Sequence, residues 1–116
     1  MRKDPADSFL PLSPATLHIL LALAGEKLHG YAIMQEIARQ SEGRYKPGPG
    51  ILYDNLQRLT KQGIVESAGE DPEDPRRRYY RLTALGRRVL STEVSRLEGV
   101  VREARQRMPI RAPGGI

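Results

Sequence analysis

Residues 47–83, PGPGILYDNLQRLTKQGIVESAGEDPEDPRRRYYRLT, hold the pattern on which the fold turns. Leu52, Leu56 and Leu59 recur at i, i+4 and i+7, the spacing of one helix face, and predict a helix from Gly50 to Gln62. Gly63 is placed to take the left-handed conformation that ends it. The texture then changes. IVESA from Ile64 is a short β-branched run, GEDPEDP is a turn-rich loop, and RRRYYRLT reads as a returning strand. In that strand Arg78, Tyr80 and Leu82 share one side, and Arg77, Tyr79 and Arg81 share the other. A two-stranded hairpin is marginal alone, so it must lean on helices.

Working outward, Ser13 followed by Pro14 starts a helix that runs to Gly25, since the serine oxygen accepts from free first-turn amides and proline wastes none. Leu17, Leu20, Leu21 and Ala24 form one apolar face, while Ile19 and Leu23 make the other side apolar too, so this helix needs cover on two sides. A second helix is expected over Gly30–Gln40, with Ile33, Met34 and Ile37 as its stripe, before Ser41–Gly50 breaks the pattern. After Thr83, a candidate N-cap, the longest helix runs from Ala84 to Arg107, and Pro109 ends it.

The order of three helices, two strands and a long helix predicts a mainly α fold with a small β hairpin: a winged helix-turn-helix over residues 12–83 plus a dimerisation helix over 84–108. Residues 1–11 and 109–116 are expected to be tails, flexible or in contact with the interface.

The 116 residues suit one domain, and 39% hydrophobic with 28% charged residues is a globular composition. A net charge of +5 points to a polyanionic partner. With no cysteine there is no disulfide framework and no thiolate metal site. The apolar run LHILLALAG is about half the length a bilayer crossing needs, so no membrane association and a cytoplasmic location are expected.

The third helix presents Tyr53, Asp54, Asn55, Gln57, Arg58 and Lys61 away from its leucines. Asn and Gln can pair with adenine edges, Arg with guanine, and Lys or a Tyr hydroxyl with phosphate; Asp54 works against phosphate. From Arg76 to Arg88 there are six arginines and no acid. Their planar donors suit phosphate, and the tip of a wing can reach the DNA backbone. The competing reading pairs these arginines with Glu66, Glu70, Asp71, Glu73 and Asp74 of the same hairpin. Helix and hairpin together favour double-stranded DNA, with Tyr53, Asn55, Gln57, Arg58, Lys61, Arg76, Arg77 and Tyr79 as contacts and Tyr80 as core.

On the last helix Leu90, Val94, Leu97, Val101, Ala104 and Met108 are spaced 4, 3, 4, 3, 4, a heptad-like seam. The helix is about 36 Å long at 1.5 Å per residue, more than a winged-helix body needs as its own cover. A homodimer is expected, packed antiparallel or crossed through Leu90, Val94, Leu97, Val101 and Ala104, with Phe9, Leu10 and the first helix contributing. The alternative is a helix folded back on its own monomer. Two third helices about 34–36 Å apart would read a palindromic operator.

His18 lies in an apolar run and His29 precedes Gly30, so packing or capping is expected of each rather than catalysis. No GxxxxGK[ST], HExxH or paired-cysteine pattern occurs, so no enzyme activity, cofactor or metal is expected. A function of another class remains open, a winged-helix protein-interaction module in a larger assembly. A steep fall of nucleic-acid affinity with salt separates the two readings.

Three pieces, HGYAIMQEI at 29–37, PGPGILYDNLQRLTKQGIVES at 47–67 and RRRYYRLTALGRRVL at 76–90, resemble the PadR family of bacterial transcriptional regulators, in its short form with one C-terminal helix. The resemblance implies a homodimeric repressor of genes for detoxification, efflux or phenolic-acid metabolism, modulated by a small-molecule effector. It matches Tyr53 to the recognition-helix tyrosine, Tyr31 to the tyrosine of the HGY piece, and Arg76–Arg78 with Tyr79 to the wing. Ile51 stands where many relatives carry a small hydroxyl residue, so operator sequence does not transfer. The chain has no tryptophan, so the aromatic sandwich of multidrug-sensing relatives has no counterpart.

Overall fold

The computed structural model describes residues 4–108, so the parts of the expected tails at residues 1–3 and 109–116 lie outside the described residues. A 3-10 helix, Pro5–Phe9, is followed by α1 (Pro14–Ala22), β1 (Leu28–His29), α2 (Gly30–Gln40), α3 (Pro49–Lys61), β2 (Val65–Glu70), β3 (Arg78–Leu82) and α4 (Ala84–Arg107).

Three of the four α-helices begin on side-chain caps. Ser13 Oγ accepts from the Thr16 amide at 3.2 Å, His29 Nδ1 from the Ala32 amide at 3.2 Å, and Thr83 Oγ1 from the Gly86 amide at 3.0 Å. His29 is therefore a cap. Helix α3 differs, because Gly48 at its N-cap offers no side-chain acceptor and the first-turn amides stay free. Its far end closes as expected, with Gly63 at φ 76° and the Ile64 amide donating to the Leu59 carbonyl at 3.0 Å.

The sheet has three strands in the order β1-β3-β2, where the sequence suggests a two-stranded hairpin. Leu28 pairs with Tyr80 and His29 with Tyr79, so the chain between α1 and α2 adds an edge strand. Two residues are too few to display an alternating pattern, which is why the sequence does not announce β1. Strands β2 and β3 pair Val65 with Leu82 and Ser67 with Tyr80, and the register slips between Ser67 and Glu70 around Gly69 at φ 96°. The returning strand starts at Arg78, leaving Arg76 and Arg77 in the loop.

Ile19, Leu20, Ile33, Ile37, Leu52, Leu56, Leu59 and Val89 are fully buried in one core. Leu90 joins it, as a contact within its own subunit, because the first turns of α4 lie over α1 and β3. The 3-10 helix also packs on α4 with Ala6 fully buried, so Phe9 and Leu10 already spend part of their apolar surface inside their own subunit.

Glu93 is the exception in this apolar setting: its carboxylate is buried on the inner side of α4. It accepts from the guanidinium of Arg96 through both oxygens and from the Leu12 amide at 2.8 Å, tying the segment before α1 to α4. The Arg96 hydrogen bonds hold its pKa below the usual carboxylate range, against the opposing effect of burial, with the Leu12 amide assisting. A depressed native pKa contributes stability above the ordinary glutamate range that is lost as pH falls through the native value. Glu93→Gln should therefore lower stability by about 1–3 kcal/mol at neutral pH. Thermal melts of the two chains should converge as the pH falls below the ordinary glutamate range and through the depressed native value.

Candidate nucleic-acid interface

Burial of Leu52, Leu56 and Leu59 turns the opposite side of α3 to solvent, where Tyr53, Asp54, Gln57 and Lys61 are all exposed. A Cβ at Gly30 would collide with the hydroxyl end of the Tyr53 ring, so the glycine at the start of α2 makes room for that phenol. Ile51 is also exposed, at 53%, near the open N-terminal end of α3.

Asn55 and Arg58 stand apart from that face. Asn55 Nδ2 donates to the Ile51 carbonyl at 2.8 Å, and its Oδ1 accepts from Thr16 Oγ1 at 3.2 Å and from Arg58 Nη2 at 2.6 Å. Arg58 Nη2 also donates to Thr16 Oγ1 at 2.9 Å, and Nη1 to Gln62 Oε1 at 3.3 Å. Thr16 on α1 is buried, so these two side chains lock α3 onto α1. To meet a base, Asn55 would have to give up bonds that it already makes.

The hairpin rises beside α3. Tyr53, Gln57 and Lys61 of α3 and Ser67, Arg78 and Tyr80 of the hairpin line a cleft of about 300 Å³. Tyr80, read as core, is half-buried on its wall; burial pushes the phenol up, while the charge of Arg78 works the other way. Tyr79 points to the other face, where its ring meets His29 edge-on at 5.6 Å and Lys27 Nζ sits 5.1 Å from the ring centroid. Gly30 and Ser67 are residues of this surface that the sequence does not single out, and Arg78, which the resemblance assigns to the wing, joins Tyr53, Gln57 and Lys61 in the cleft. The alternation of RRRYYRLT carries the signal for Arg78, which shares a side with Tyr80.

Of the remaining arginines, Arg76 and Arg77 lie at the wing tip against Asp74 and Asp71, and Arg81 pairs with Glu66 across the strands at 2.9 Å. Away from these residues, Leu17 and Leu21 of α1 with Val94, Leu97 and Val101 of α4 line an apolar groove of about 600 Å³, rimmed by Glu98, Arg102 and Arg105. Val94 and Val101 are 36% and 47% exposed, and Ala104 is half-buried farther along the helix.

Three helices, an uncovered third helix and a hairpin beside it define a winged helix-turn-helix protein. The sequence matches the model of the transcriptional regulator PadR-like family over residues 19–92, and the chain belongs to that family. Members of this family are transcriptional regulators rather than enzymes. The transcriptional regulator Rv3488 of Mycobacterium tuberculosis is 37% identical over 87 residues, covering 75% of this chain and 78% of that protein. A PadR-like transcription factor from Bacteroides fragilis superposes with a TM-score of 0.69 at 24% identity, over 89% of this chain and 98% of that one. The Bordetella bronchiseptica regulator BpsR, whose DNA binding is regulated by 6-hydroxynicotinic acid, superposes with a TM-score of 0.63 at 19% identity, over 79% of this chain and 64% of that one. Among the described residues no helix is long and apolar enough to cross a membrane.

Proposed function

We propose that the chain is a cytoplasmic homodimeric repressor that binds a palindromic operator in double-stranded DNA and is modulated by a small-molecule effector. The observation that carries this reading is the solvent-open face with Tyr53, Gln57 and Lys61 beside the arginine-bearing strand of the hairpin, whose Arg78 shares a cleft with them. In this reading α3 enters the major groove, Gln57 reads base edges, and Tyr53, Lys61 and the free first-turn amides of α3 hold phosphates. Arg76, Arg77 and Arg78 reach the flanking backbone. Asn55 and Arg58 orient α3 from α1 instead of reading bases directly, and Tyr79 supports the wing from its other face.

The groove between α1 and α4 supports the dimer, with Val94, Leu97, Val101 and Ala104 as contacts and Leu90 backing them from the core. Burial of each large side chain is worth about 1.5–3 kcal/mol. Any part of the groove that the partner copy leaves unfilled is of a size to take an effector. The effector-regulated DNA binding of BpsR supports that role by likeness of fold.

Selection of bound sequences from a random DNA pool tests the reading: palindromes with half-sites about one helical turn apart are expected, and recovery of no enriched sequence would overturn it. Affinity should fall steeply with salt, and Lys61→Ala should lower the magnitude of the log–log slope by about 1. A flat salt response would instead fit a protein-interaction module.

A further inference from the structure

We propose that Asp71 and Asp74 set the DNA affinity of the wing by occupying Arg76 and Arg77 in ion pairs that phosphate must displace, an inference that rests on the wing contacting DNA. Arg76 Nε lies 3.2 Å from Asp74 Oδ1, and Arg77 places Nε 3.9 Å from Asp74 Oδ2 and Nη1 3.9 Å from Asp71 Oδ2. Each of the two exposed arginines thus meets a carboxylate where it would meet a phosphate oxygen.

The acids are the fixed partners. Asp71 Oδ1 accepts from the Glu73 amide at 2.9 Å and Asp74 Oδ1 from the Arg76 amide at 3.1 Å, so both carboxylates are built into the turn. The Asp71 amide donates to the Arg77 carbonyl and the Arg77 amide to the Asp74 carbonyl, each at 2.9 Å, which closes the loop. Exposure follows the same division: the Asp71 and Asp74 side chains are 15% and 32% exposed, against 92% and 53% for Arg76 and Arg77. When DNA arrives the arginines can swing and the acids cannot.

An arginine that leaves a carboxylate for a phosphate exchanges one counter-charge for another. The vacated carboxylate takes up a cation, which offsets the cation released from DNA, so such an arginine adds less to the salt dependence than a free one. Exposed pairs are weak enough for polyanionic DNA to displace. Glu70, at the end of β2, and Glu73, in the loop, enter no ion pair among the described residues, so the effect belongs to two particular acids and not to the acidic stretch as a whole.

Asparagine at positions 71 and 74 keeps the Oδ1 acceptor of each turn and removes the charge, which makes the test clean. The full-length chain is titrated onto a labelled mixed-sequence duplex over about 0.05–0.3 M KCl, where binding is electrostatic. The variant D71N/D74N should bind about three- to tenfold more tightly at the low-salt end, with the slope steeper by about 1–2. The variant E70Q/E73Q, which loses the same charge from the same end of the hairpin without freeing an arginine, should change affinity less than about twofold. Asp74→Asn alone touches both arginines and gives the same direction from a less altered loop, and equal melting temperatures check that the fold is kept. Equal gains from D71N/D74N and E70Q/E73Q, or no gain from either while R76A/R77A weakens binding, would overturn the proposal and leave the wing contact standing. If R76A/R77A leaves affinity unchanged in both backgrounds, the wing contact fails and the proposal with it.

Discussion

Leu97→Asp is expected to sediment as a monomer at concentrations where the proposed homodimer of the native chain is intact. Leu97 lies between Val94 and Val101 in the groove that α4 forms with Leu17 and Leu21 of α1. In the monomer this groove is open, so a carboxylate at position 97 stays hydrated and the melting temperature at low protein concentration should hardly change. In the proposed homodimer the same substitution occurs twice, and each buried, unpaired carboxylate costs about 2–3 kcal/mol. The sum, about 4–6 kcal/mol, raises the dimer dissociation constant by about 10³–10⁴-fold. Operator affinity should fall by about 100-fold or more, because two half-sites are no longer engaged by one linked molecule. Light scattering that finds an intact dimer in this variant would remove the groove from the assembly.

Gly86→Ala is expected to destabilise the fold, against the ordinary rule for helices. In a helix interior alanine is better than glycine by about 1 kcal/mol. Here the added methyl would run into the Ile64 carbonyl oxygen, at the crossing of α4 over the start of β2. That oxygen already accepts from the Thr83 amide at 3.0 Å, and the Thr83 hydroxyl, which caps α4, donates to the neighbouring Gly63 carbonyl at 2.5 Å. The backbone cannot yield without opening these bonds, so a loss of about 2–4 kcal/mol is expected. For a domain of this size that is a fall of about 10–20 °C in melting temperature. Gly99→Ala on the same helix is the internal control: a Cβ there meets nothing within 4 Å, and the substitution should raise stability slightly. Opposite signs at two glycines of one helix would separate close backbone approach from helix propensity.

Much of the interface geometry is legible in short stretches of sequence. Ser13–Pro14, His29–Gly30 and Thr83–Ala84 each mark a helix start that side-chain caps then occupy. The leucines of α3 determine which of its faces is open, because three residues at helical spacing must turn inward together. The two competing readings of the wing arginines were both visible in the charge pattern, and the pairs that form involve Asp71, Asp74 and Glu66 but not Glu70 or Glu73.

Helix starts, the inward face of α3 and the position of the hairpin follow from the chain alone, since caps, periodic burial and turn residues act over a few neighbouring positions, whereas the end of α1 falls at Ala22, short of the expected Gly25. Packing decides the rest: β1 as a third strand, Gly30 against Tyr53, Leu90 in the core, and Glu93 clasping the Leu12 amide 81 residues away. It also decides that Asn55 turns to Thr16, 39 residues distant, when the same amide could have faced outward. The reason is the range of the forces involved. Local preferences act within a turn of helix or a pair of residues, whereas the partner of a polar side chain on a half-buried face is chosen by whichever distant segment is folded against it.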